Sequence, residues 1–128
     1  MRFVLCAFCL ISAGTFFSTP RSAEEAFAQA QEAVEDGRAR AALRLYRVAA
    51  EQDHLDAQLA YARALETGQL RAAPSQSALP VRADSAAAGK WYARARVTAA
   101  TRASEGDEEA AALLVRLALA EQANPQEG

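Results

Sequence analysis

The segment from Leu45 to Gln58, LYRVAAEQDHLDAQ, constrains this chain more than any other, because it joins the end of one short helix to the start of the next. A second, partial copy follows. Trp91 and Tyr92 open WYARARVTAA, and EGDEEAAALL comes after it, so an aromatic pair, small residues, a turn and a new alanine-rich helix recur about 46 residues on. Helical hairpins of this size cannot bury an apolar face alone; they stack on their neighbours and present an extended surface. A chain built this way is organised for binding rather than for catalysis.

Composition agrees with an all-helical reading. Hydrophobic residues make up 52% of the 128 positions but aromatics only 7%, and the gap is filled by 34 alanines. Alanine is the best helix former and lets helices approach closely. Apolar periodicity recurs between turn signals, and no segment sustains the two-residue alternation of a half-buried strand.

The N-terminus differs in kind. Arg2 precedes the apolar run FVLCAFCLISAGTFF, the pattern of a signal peptide over residues 1–23, with Ser22-Ala23 as a small-residue exit. The run is short of the roughly 20 residues a membrane-spanning helix needs. A periplasmic or secreted destination is expected, with an uncleaved inner-membrane anchor as the alternative. Cys6 and Cys9 both lie in this segment, so the remaining chain carries no disulfide or thiol chemistry. Phe8 before Cys9 and Leu5 before Cys6 are not the small residues that a lipid-attachment signal requires. Without Arg2 and Arg21, 14 basic residues become 12 against 16 acidic ones, a net charge of about −4 that gives no footing for nucleic acid.

Five helices are expected within a domain covering 24–123, followed by a polar tail at 124–128. The first, from Glu24 to Glu35, carries the stripe Ala26, Phe27, Ala30, Ala33 and Val34, and Asp36-Gly37 ends it. The second, from about Arg38 to Gln52, buries Ala42, Leu45, Tyr46, Ala49 and Ala50 while Arg40, Arg44, Arg47 and Glu51 face away. A third runs from about Leu55 to Thr67, closed by Gly68. Pro74, Pro80 and the polar residues between Gly68 and Asp84 read as a loop. The fourth helix extends from about Ser85 to Ser104, and Asp107 caps the last, EEAAALLVRLALAEQ, which Asn124-Pro125 stops.

Tyr46, Ala49, Ala50, Glu51, Gln52, His54, Asp56, Ala57 and Gln58 together resemble the Sel-one-like repeat, a tetratricopeptide-like helical hairpin. The resemblance covers roughly residues 38–117, supported by the spacing of Asp84 and Ala88 to Trp91-Tyr92. It implies a short αα-hairpin solenoid. Asp53 stands where the family usually has glycine, so aspartate must make that turn, and Tyr61, Ala62 and Leu65 depart from its usual residues while keeping the period. The loop insertion at 69–83 is about ten residues longer than the family's usual connection, which marks it as a second candidate contact element.

Little in the sequence can do chemistry. His54 is the lone histidine, with no Ser, Cys or second His to complete a nucleophile or ligand set, and is read as packing or capping at a helix start. The cluster Glu105, Asp107, Glu108 and Glu109 lacks the ligand spacing of a calcium loop. Trp91 and Tyr92 are placed between helices, with their polar atoms at an edge. The expectation is therefore a non-enzymatic exported module, without catalytic, cofactor or metal site, that binds another protein or peptide as a scaffold or regulator of an envelope process. In such solenoids the first helix of each hairpin lines the concave side, and on the third helix this picks out Gln58, Leu59, Arg63 and Glu66 as contact residues. The alternative is an accessory or inhibitor of cell-wall metabolism contacting glycan or an enzyme through the 69–83 loop. With two hairpins and a small core, self-association into a homo-oligomer is a third expectation.

Overall fold

The computed structural model describes residues 22–71 and 77–123. Residues 1–21, which carry most of the expected signal peptide, the loop residues 72–76 and the tail 124–128 lie outside the described residues. The rest is an all-α fold of short helical hairpins. Its helices are α1 (Ala23–Glu35), α2 (Ala39–Glu51), α3 (Leu55–Thr67), α4 (Ser85–Ser104) and α5 (Glu108–Ala123). Each packs on its neighbour in chain order, most closely within the pairs α1/α2 and α3/α4.

The helix boundaries follow from local chemistry. Ser22 caps α1 by accepting from the Glu25 N–H at 3.1 Å, so the helix begins inside the span assigned to the signal peptide. Asp84 and Asp107 do the same for α4 and α5, accepting from the Ala87 and Ala110 N–H groups at 3.1 Å. The turn between α2 and α3 uses Asp53 at φ 60°, the left-handed conformation that aspartate tolerates better than most residues. The imidazole of His54 then caps α3: its Nδ1 accepts from the Ala57 N–H at 3.2 Å. Gly68 ends α3 at φ 69°, and a Cβ there would press on the Val81 carbonyl at 3.4 Å.

The 69–83 insertion departs from its reading as a plain loop. Its two ends pair as antiparallel strands, β1 (Gln69–Leu70) and β2 (Leu79–Pro80). Burial of Leu70 in the core explains the clip, since Leu79 and Val81 pack against the same cluster. The Val81 N–H donates to the Gly68 carbonyl at 3.0 Å and the Asp84 N–H to the Leu65 carbonyl at 2.8 Å, so the returning end of the insertion is pinned to the C-terminus of α3.

Two apolar clusters result. The larger gathers Ala26, Ala30, Ala33 and Val34 of α1, Ala42, Tyr46, Ala49 and Ala50 of α2, Ala57 and Ala64 of α3, and Leu70. Phe27 locks it: its ring meets Tyr46 edge-on at 5.7 Å and stacks on His54 at 4.7 Å. The smaller joins Leu55 of α3 to Ala95 and Ala99 of α4 and Ala110 of α5, with Leu59, Leu113 and Leu114 half-buried around it. Alanine dominates both, so the helices sit close and each cluster buries little apolar area per residue.

Candidate functional site

The α3 face expected to make contacts divides in two. Arg63 and Glu66 are exposed, one turn apart. Gln58 is not: it is 0% exposed and is withdrawn as a contact residue. Its Nε2 donates to the Ala50 carbonyl at 3.1 Å, an oxygen that also accepts the Asp53 N–H at 3.1 Å, and lies 3.5 Å from Asp53 Oδ1. Gln58 stands on the buried stripe of α3 with Leu55, Ala62 and Leu65, and the α2 terminus supplies its hydrogen-bond partner. Leu59 is half-buried and packs against the smaller cluster, so it is mainly a core residue.

What holds Glu66 in place comes from the next helix. The Tyr92 hydroxyl of α4 donates to Glu66 Oε2 at 2.7 Å. Partial burial, then the hydrogen bond to Glu66 and its negative charge, push the Tyr92 phenol up to about 12, while Arg63 nearby pulls in the opposite direction. The phenol therefore stays a donor through the neutral range and fixes the carboxylate.

A second brace sits on the other side of Trp91. The ring lies edge-on to Tyr61 of α3 at 5.3 Å and 90°. Arg94 passes over it at 5.2 Å, and its Nη2 donates to the Glu51 carbonyl at 2.9 Å and to Asp53 Oδ1 at 3.3 Å. One guanidinium thus ties α4 to the α2/α3 turn. Trp91 and Tyr92, expected in the core, are half-buried, and the Tyr92 hydroxyl reaches the exposed Glu66. The roles of Arg94 and Tyr92 were missed from sequence, because nothing local signals a contact made some 26 to 43 residues away.

Beside the clip, an open cleft of about 760 Å³ is lined by Leu43, Leu65, Arg82, Ala83, Asp84 and Ser85. Among the described residues no group of three or more His, Cys, Asp or Glu side chains could hold a metal ion. No helix among them is long and apolar enough to cross a membrane. No family model matches the chain, and no curated protein or solved structure matches it. The Sel-one-like resemblance accordingly rests on the sequence pattern alone.

Proposed function

We propose that this chain is a non-enzymatic helical-repeat module of Sel-one-like type, exported to the bacterial envelope, that binds another protein or peptide through the α3 face around Arg63 and Glu66. The observation that carries the reading is the Tyr92–Glu66 bond. A carboxylate held at 2.7 Å by a neighbouring helix, one turn from an exposed guanidinium, is a preorganised pair of opposite charges, and ordering costs on binding fall accordingly. The partner that fits is a segment offering a basic and an acidic side chain at matching spacing. His54, the Gln58 Nε2, Asp53 and Arg94 nearby are engaged in capping and bracing.

The test is affinity capture of envelope proteins with Arg63→Ala and Glu66→Ala variants. Recovery of the captured protein should fall while far-ultraviolet circular dichroism stays unchanged; undiminished recovery from both variants would remove this face. The open cleft beside the β1/β2 clip supports a second reading, contact with glycan or an enzyme through the 69–83 segment. Replacing residues 72–76 with a short glycine-serine link separates the two. Capture that survives this change favours α3; capture lost only here favours the loop.

A further inference from the structure

Helix α5 is covered on one side only. Ala110 is buried against α4, Leu113, Leu114 and Leu117 are half-buried, and Glu121 pairs with Arg96 of α4 at 3.2 Å. The outward side carries Glu108, Ala112, Val115, Leu119 and Gln122, spaced alternately by four and three residues. That is the spacing of a coiled-coil seam rather than of a solvated helix face. Val115 and Leu119 are 59% and 58% exposed, and with Val97 of α4, at 68%, they are the large exposed hydrophobics of the described residues.

The charges beside the seam name its occupant. Glu109 and Arg116 flank the same edge seven residues apart, about 10 Å of helix rise, too far to pair with each other. Both are exposed, and neither has an ion-pair partner among the described residues. An identical helix running in the opposite direction brings Arg116 against Glu109 of the second copy, and Glu109 against its Arg116. The same register sets Val115 against Ala112 of the second copy and the reverse. A parallel copy would put the two Arg116 side chains on opposite edges of the seam, each facing only Ala111 of the other copy and leaving Glu109 unpaired. Head-to-tail stacking would lay the seam on the outward side of α1, where Glu24, Glu32 and Glu35 are exposed.

We infer that α5 is an interface with a second copy of this chain, the two helices antiparallel about a two-fold axis near Ala112 and Leu113. This surface is separate from the α3 face and does not depend on the reading given for it. The overlap, Glu108 to Leu119, spans about three turns, which places the contact below the roughly 1,200 Å² of standard interfaces and makes the dimer reversible in the micromolar range.

The test is sedimentation equilibrium on the full chain as the cell processes it, from low to high micromolar concentration, with circular dichroism as the control for folding. Wild type should show a monomer–dimer equilibrium. Val115→Asp, at an exposed site, should weaken it about a hundredfold or more, because each copy would bury a carboxylate. Glu109→Arg and Arg116→Glu alone should each weaken it about tenfold, since two attractive pairs become two repulsive ones. The double swap Glu109→Arg/Arg116→Glu should restore the dimer, and mixing the two single variants should give a heterodimer tighter than either homodimer. A wild type that stays monomeric overturns the proposal. So does a dimer indifferent to Val115→Asp, or one indifferent to the single charge swaps.

Discussion

The first helix of the row and the last are built from similar amounts of alanine, yet they close it differently. α1 puts Ala26, Ala30, Ala33 and Val34 inward and leaves Glu24, Ala28, Glu32 and Glu35 outside, so its hydrophobic side is spent within the fold. α5 buries Ala110 alone completely and carries valine and leucine on the opposite side as well. A helical row needs a polar outer side on its terminal units to remain soluble as a single copy. The α1 end has one and the α5 end does not. The contrast extends inward: aromatic rings lock the α1 end, whereas small side chains form most of the core at the α5 end.

The contrast can be broken most directly in the two clusters. Tyr46, 2% exposed and in edge contact with Phe27, should cost about 3–5 kcal/mol on substitution by alanine. For a domain with a total stability of about 5–15 kcal/mol, that is a large part of the whole. Leu113→Ala, at a half-buried site of the smaller cluster, should cost about 1–2 kcal/mol, because much of that side chain already meets water. Urea titrations of both variants measure the difference. Equal losses would mean that the two ends are equally consolidated.

His54 sharpens the same point from the α1 side. His54→Ala removes both the cap on α3 and the stack on Phe27, and should lower stability by about 1–2 kcal/mol. His54→Asn keeps an accepting side chain and loses the stack, so it should recover about half of that. If asparagine did no better than alanine, the histidine would hold the junction through its ring alone. At the other end, Gly106 turns the chain between α4 and α5 at φ 97° with open space where a Cβ would go. Gly106→Ala should therefore cost about 1–2 kcal/mol of backbone strain alone. Amide exchange should show that cost as faster opening of α5, with α1 and α2 unaffected.

Much of this was legible in the sequence, and the parts that were not share a cause. Caps and turns are local, so Asp107, Gly68 and the turn made by Asp53 could be named, and the bounds of α3 follow from them, whereas the cap that Asp84 places on α4 was not named. Apolar stripes at helical spacing gave the buried residues of α1 and α2. The contact face of α3 was only half readable. Helical spacing puts Gln58 in line with Leu55, Ala62 and Leu65, all buried, so the stripe itself points this side chain inward, and its polarity alone assigned it to the contact face. The β1/β2 clip was hidden for a similar reason: proline and serine say loop, while the burial of Leu70 depends on a core assembled from three helices. The braces of Arg94 and Tyr92 likewise link residues that no local rule brings together.

The smallest expected effect lies between the two ends, where Tyr92 ties α4 to Glu66 of α3. Tyr92 is held at about 12 against an ordinary 10.0, chiefly by partial burial and then by Glu66, and Tyr46 is raised by burial alone. The folded chain therefore keeps the Tyr92 proton more tightly than the unfolded one. The stability contributed by that difference is whole below about pH 10 and is lost as pH rises towards 12. Phenolate absorbance should show a late-titrating tyrosine that Tyr92→Phe removes. Glu66→Gln takes away the neighbouring charge but leaves the burial, so Tyr92 should then titrate earlier than in the wild type yet still above 10.0. An unchanged titration in Glu66→Gln would mean that phenol and carboxylate are not joined in solution. The α3 face would then lose its fixed carboxylate, and α4 would be held to α3 by the Trp91–Tyr61 contact, the Arg94 brace and the smaller apolar cluster.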